Sequence, residues 1–204
     1  MYIPEIYKNE NPEAIHAFIK KNSFGILVNQ VDEKLWATHI PFELEIQKEG
    51  KQVLYGHVSK ENLQWKSFVS SEQILVIFSG PNSYISPSWY DHENVPTWNY
   101  SAVHVYGSIK IIEGEALLYA LKKMIDKHES HSENPIRMED LSAETMKQTE
   151  GIVAFEIEIN EIQAIQKLSQ NRDDKNYENI ISQLEKKEEP DSTAMAKEMK
   201  KYRK

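Results

Sequence analysis

The chain has 204 residues, a formal net charge of −8 and no cysteine. A chain of that length buries a real core without cross-links, so one domain is expected, and disulfides, thiolate metal sites and cysteine nucleophiles are excluded. The acidic balance, with a pI of about 5.4, disfavours direct DNA binding, because phosphate neutralisation by Lys and Arg supplies most of that affinity.

The opening "MYIPEIYKNENPEAIH" has neither the basic start nor the apolar stretch of a secretory signal, and no later apolar run approaches the roughly 20 residues of a membrane span. A soluble cytoplasmic protein is the expectation. Asn11, Pro12 and Glu13 signal a helix start, and Ile15, Phe18 and Ile19 then share one face, which predicts a helix over 12–21. "FGILVN", "LWATHIPFEL" and "QVLYGHV" follow as three strand-like runs parted by polar turns, together an antiparallel meander. In "SKENLQWKSFVS" the period changes, and Trp65, Phe68 and Val69 predict a short helix.

"ILVIFSG" reads as a buried strand and "NSYISP" as further strand. In "VPTWNYSAVHVYG" a strand would put Trp98, Tyr100, Ala102, His104 and Tyr106 on one face. Thr97, Asn99 and Ser101 begin the other face, which turns apolar at Val103, Val105, Ile109 and Ile111 and becomes ordinary core. The aromatic face needs a large flat ligand or a partner surface. Leu117, Leu118, Leu121, Met124 and Ile125 then predict a helix on the outside of a barrel, "HESHSENPIRMED" a polar loop, and Ser142 the start of a short helix. "GIVAFEIEI" alternates, with Val153, Phe155, Ile157 and Ile159 on one face. After the caps Asp173 and Asp174, Tyr177, Ile180, Ile181 and Leu184 form a helical stripe. From Glu185 the chain is rich in charge and ends in "KKYRK", with little apolar material beyond Met195 and Met199. The expected organisation is a domain over residues 1–187 and a charged tail over 188–204, part of it disordered or a loosely held helix. The fold class is mainly β, a β-barrel with peripheral helices.

Three segments offer chemistry. "GHVSKENLQW" runs strand into helix, so Ser59 and Lys60 at a helix N-terminus, with His57 nearby, would suit an anion; the plain alternative is an N-cap and solvated charges. "QKLSQNRDD" joins Lys167 and Arg172 to Ser169, Gln170 and Asn171, a donor set for an anion or equally a capping turn. "SGPNSYISPSWYDHENVPTWNYS" concentrates Tyr84, Trp89, Tyr90, Trp98 and Tyr100 in a loop-rich region, which points to ligand stacking or a subunit interface as readily as to packing. His39, just before Ile40 and Pro41, reads by itself as a structural histidine. His128 and His131 with Glu129 and Glu133 lack metal-ligand spacing, and no nucleophile elbow, phosphate-binding loop or dinucleotide fingerprint occurs. No residue stands out as a general acid or base.

Taken together, "THIPF", "GHVSKENLQW", "FSGPNSYISPSWY", "VPTWNYSAVHVYG" and "KLSQNR" resemble the PaiB-like family of FMN-binding negative transcriptional regulators, over nearly the whole chain. The resemblance implies an FMN-binding split barrel, similar to the pyridoxamine-phosphate-oxidase-like flavoproteins, usually a homodimer with flavin between subunits. It implies a role in repressing degradative enzyme production and sporulation, with an FMN-dependent oxidoreductase as the alternative. On the matching motifs, His57, Ser59 and Lys60 would take the phosphate, with Lys167 and Arg172 as alternatives. Thr38 and His39 would lie beside the ribityl chain or ring, and Trp98, Asn99 and Tyr100 would line the ring or the dimer seam.

Overall fold

The computed structural model describes residues 1–68 and 73–203. In chain order the main elements are α1 (Pro12–Lys21), β1 (Phe24–Val31), β2 (Lys34–Pro41), β3 (Glu43–Ile46), β4 (Gln52–Ser59), β5 (Ile74–Ile85), β6 (Thr97–Ile112), α2 (Gly114–Glu129), α3 (Ala143–Met146), β7 (Ile152–Lys167), α4 (Asp174–Lys186) and α5 (Pro190–Tyr202). The strands form one sheet in the order β2-β1-β5-β6-β7-β4-β3, so the class is mainly β with peripheral helices. No helix among the described residues is long and apolar enough to cross a membrane. The backbone divides into two compact units, one of Met1–Phe18, Ser79–His104 and Gln163–Lys204, the other of Ile19–Phe78 and Val105–Ile162.

In the second unit, β1 and β2 form an antiparallel hairpin whose two turn residues, Asp32 and Glu33, have φ of 48° and 63°. That left-handed pair matches the twist of the strands it joins. The expected meander breaks after β2. "LWATHIPFEL" is two strands, and β3 pairs with β4, which in turn pairs with β7. Pro41 has no N–H to give a ladder, and the Phe42 N–H donates instead to the Ser23 carbonyl at 2.8 Å. β2 and β3 therefore end at opposite edges of the sheet order.

Phe42, Phe68, Phe78 and Phe155 fill the core of this unit, with ring pairs at centroid distances from 5.2 to 6.4 Å. Gly56 makes room for them, since a Cβ there would meet the Phe155 ring at 2.7 Å. β7 buries Val153 through Ile157 without alternation, because Ala154 packs with Val53, Tyr55, Ile112 and Ala120 on the face opposite Phe155. Glu156 is buried in that run and pairs with Lys110 at 2.9 Å. On α2 the buried positions are Ala120 and Met124, while Leu118 faces solvent. The helix expected at Trp65 is a 3-10 turn, Leu63–Ser67, capped by Asn62; Val69, counted in that expectation, lies outside the described residues.

The first unit joins the second half of β5 and the first half of β6 to α4 and α5. Asp173 caps α4 by accepting from the Asn176 N–H at 3.0 Å, and Tyr177, Ile180, Ile181 and Leu184 are buried as the stripe requires. The charged tail is the main departure. Residues Pro190–Tyr202 form α5, and its Met195, Ala196 and Met199 share a core with α4, Ile85, Tyr90 and Leu168. Proline at the first turn starts this helix, and Ser192, Met195, Ala196 and Met199 make a narrow i, i+3, i+4, i+7 stripe that the surrounding charges conceal in composition. Lys204, the last residue of "KKYRK", lies outside the described residues.

Candidate functional site

Five of the expected site residues belong to the second unit. His57 is half-buried on β4, its Nδ1 has no partner, and burial lowers its pKa from the usual imidazole value. Beyond it the backbone N–H groups of residues 60–62 are already paired. Ser59 Oγ accepts from the Glu61 N–H at 3.2 Å, the Lys60 N–H donates to the Gly151 carbonyl at 2.9 Å, and the Asn62 N–H donates to the Ser59 carbonyl at 3.0 Å. The expected helix N-terminus behind Ser59 and Lys60 is thus replaced by a closed turn before a 3-10 segment, and the dipole argument for an anion falls away. The Lys60 ammonium itself is exposed and borders an open cleft of about 340 Å³, shared with Gly114, Leu117, Leu118, Thr149 and Ile152.

Thr38 is tied into structure. Its Oγ1 donates to Gln64 Oε1 at 2.5 Å and accepts from Asn62 Nδ2 at 2.9 Å. Gln64, wholly buried, donates onward to Asn29 Oδ1 at 2.8 Å and to the Leu27 carbonyl at 3.3 Å, and Asn29 Nδ2 reaches Ser67 Oγ at 2.8 Å. This network fastens the β1–β2 hairpin to the turn that carries Lys60. Gln64 escaped the sequence reading, because its partners come from residues 27–38 and no local period announces them. His39 is exposed and stacks on Phe24, centroids 6.4 Å apart.

The other five residues belong to the first unit. Along β6, Asn99, Ser101 and Val103 are buried, while Trp98 is 53% exposed and Tyr100, Ala102 and His104 are half-buried. The strand alternation thus leaves the aromatic face open. Tyr84 meets Trp98 edge-on, centroids 6.0 Å apart at 71°, so the pair presents an angled apolar corner to solvent. Asn99 is not on that corner. It is fully buried on the opposite face, accepting from Ser169 Oγ at 3.0 Å and contacting Met199 Sδ at 3.6 Å. It braces the platform from behind.

Lys167 and Arg172 are half-buried. The Lys167 ammonium donates to Thr97 Oγ1 and stands 5.9 Å over the Tyr7 ring. Burial first, and then the neighbouring Arg172, lower its pKa. Arg172 stacks over Tyr90 at 5.0 Å. His104, on the open face, has an unpartnered Nδ1, and burial, with a smaller effect of the N-terminal amine, lowers its pKa. Among the described residues no group of three or more His, Asp or Glu could hold a metal ion.

Comparisons with known proteins bear on the family and the fold. Residues 1–161 match the family model described as "Putative FMN-binding domain". The Bacillus subtilis protein "Protease synthase and sporulation protein PAI 2" is 43% identical over 200 residues, spanning 98% of this chain and 96% of that protein. Among solved structures, the flavocytochrome Anf3 of Azotobacter vinelandii has a TM-score of 0.61 at 17% identity, covering 87% of this chain and 78% of that one. The FAD and haem binding protein of Mycobacterium smegmatis has a TM-score of 0.60 at 15% identity, covering 79% and 73%. Those two likenesses carry the fold, which is the split barrel that the sequence motifs implied. With the family model covering most of its length, the chain belongs to the family of FMN-binding domains of this split-barrel type.

Proposed function

We propose that the chain is an FMN-binding regulatory protein acting in the control of protease synthesis and sporulation. The observation that carries this reading is the 43% identity to the Bacillus subtilis protein named for those processes, maintained over 98% of the chain. The solvent-open aromatic corner supports the cofactor part, since an isoalloxazine ring needs flat apolar walls. In the first unit, Trp98, Tyr84 and Tyr100 are the candidates for the ring. In the second unit, Lys60 with His57 is the candidate for an anionic group, and Thr38 acts through Asn62 and Gln64 to hold the turn.

A homodimer is part of the proposal. β2 is an edge of the sheet, and its Leu35 and Trp36 are 83% and 40% exposed, as is Phe24, at 66%, at the other end of the hairpin. Long apolar edges of this kind are usually covered by a partner. The net charge of −8 supports action through a protein or metabolite rather than through direct DNA contact, and a cytoplasmic location fits such a role.

The test is the visible absorption spectrum of the purified protein before and after adding FMN, with the mass by size exclusion on the same sample. A flavin spectrum that travels with a dimer peak is the expected result. Absence of flavin uptake would remove the cofactor and leave the aromatic corner as a protein interface. Rapid turnover with NADH or NADPH would replace the regulatory reading by an oxidoreductase.

A further inference from the structure

Lys167 closes β7, and Arg172 follows after a turn in which Ser169 takes a left-handed φ of 59°. Both cations are held by neutral groups: the ammonium by Thr97 and the Tyr7 ring, the guanidinium by the Tyr90 ring. Among the described residues neither has a carboxylate at ion-pair distance. The acids next to Arg172 and to Tyr90 in sequence are committed elsewhere. Asp173 accepts from the Asn176 N–H at 3.0 Å and from its side-chain amide at 2.7 Å, and Asp174 pairs with Arg203. Asp91 takes Lys175, Asn176 and His92, each at 2.9 Å.

The two half-buried cations flank one turn, which the Arg172 N–H closes on the Ser169 carbonyl at 3.0 Å, and an anion bound there would offset both their like charge and their desolvation. The guanidinium offers a planar fork and the ammonium a point charge, which together match a tetrahedral oxyanion. We propose that Lys167 and Arg172 form a binding site for a phosphate group, presented by a phosphate monoester or by free phosphate. The site is separate from the ring corner. Thr97, which holds the ammonium, precedes Trp98 on β6, so their side chains leave the strand on opposite faces. Both cations also lie beyond residue 161, where the family match ends, and the inference stands on the first unit without requiring flavin.

The test compares wild type with the double variant Lys167→Met, Arg172→Gln, which keeps the side-chain stems over the tyrosine rings. Inorganic phosphate is titrated at low ionic strength, followed by 31P line width and by the thermal midpoint. The expected result is a phosphate-dependent rise in midpoint for wild type and a loss of affinity of roughly tenfold or more in the variant. Equal phosphate binding by both proteins, or none by wild type, overturns the proposal. Should the double variant fail to fold, Arg172→Gln alone serves, with a smaller loss in the same direction. FMN and riboflavin, titrated in parallel, identify the source of the phosphate. A variant weakened for FMN but not for riboflavin places the flavin's own phosphate on this pair, whereas unchanged FMN affinity with lost phosphate binding assigns the pair to a second ligand. Phosphate binding by a wild type that takes up neither flavin leaves this site standing and removes the flavin reading alone.

Discussion

Between Thr97 and His104, β6 presents two faces of opposite fate. Asn99 and Ser101 lie beneath α5, where Asn99 meets Met199 and the Ser101 hydroxyl donates to Glu198 at 3.0 Å. Trp98 and Tyr100, one position away, remain open to solvent or half so. The polar residues are the sealed ones and the largest aromatic the exposed one. Hydrophobicity alone would predict the reverse, so the difference shows that α5 satisfies the polar face by hydrogen bonding, while the aromatic face stays open to solvent.

The largest expected effect breaks the sealed face. Met199 is fully buried, and Met199→Ala should destabilise the protein by about 3 kcal/mol, read as a lower urea midpoint. If α5 were a loosely held tail, the midpoint would not move. Next comes the open face. Trp98→Ala should weaken FMN binding about tenfold, near 1.4 kcal/mol, in a fluorescence titration, while changing stability by less than about 0.5 kcal/mol. A large loss of stability with intact FMN affinity would make Trp98 a packing residue.

Tyr177 tests the seal more finely. Its hydroxyl donates to the Met199 carbonyl at 2.8 Å, and burial holds its pKa up to about 12. Tyr177→Phe removes that buried bond and should cost about 1 kcal/mol in the same urea experiment.

The smallest effect concerns pH. His104 on the open face has a folded pKa below its ordinary value of 6.5, chiefly through burial, so the folded state binds fewer protons than the unfolded chain. Its contribution is complete above about pH 6.5 and is lost as pH falls through the lowered folded pKa. His57 shifts in the same direction by burial and adds to the slope. Urea midpoints measured from neutral to mildly acidic pH should therefore decline, and the decline should be shallower in His104→Gln.

Much of the architecture was legible because it depends on local pattern. Asn11 does cap α1, accepting from the Ala14 N–H at 3.1 Å, and Ser142 caps α3 through the Thr145 N–H at 3.1 Å. The alternation of β6 correctly separated an aromatic face from a buried one. Less of the site was legible. Thr38 and Asn99 occupy motif positions in the sequence, yet their side chains serve hydrogen-bond networks whose partners lie far away along the chain, at Gln64 for one and at Ser169 and Met199 for the other.

Periodicity, caps and turn residues by themselves determined which segments become helix or strand and which face each one turns inward. These are preferences of the backbone over a few residues, and they act wherever the segment lies. Only the tertiary structure decided that "LWATHIPFEL" divides between two edges of the sheet, that the charged end folds as α5, and that Asn99 finds its partners in Ser169 and Met199. Those outcomes depend on what packs against each face, and contact between residues distant in sequence leaves no local pattern to read.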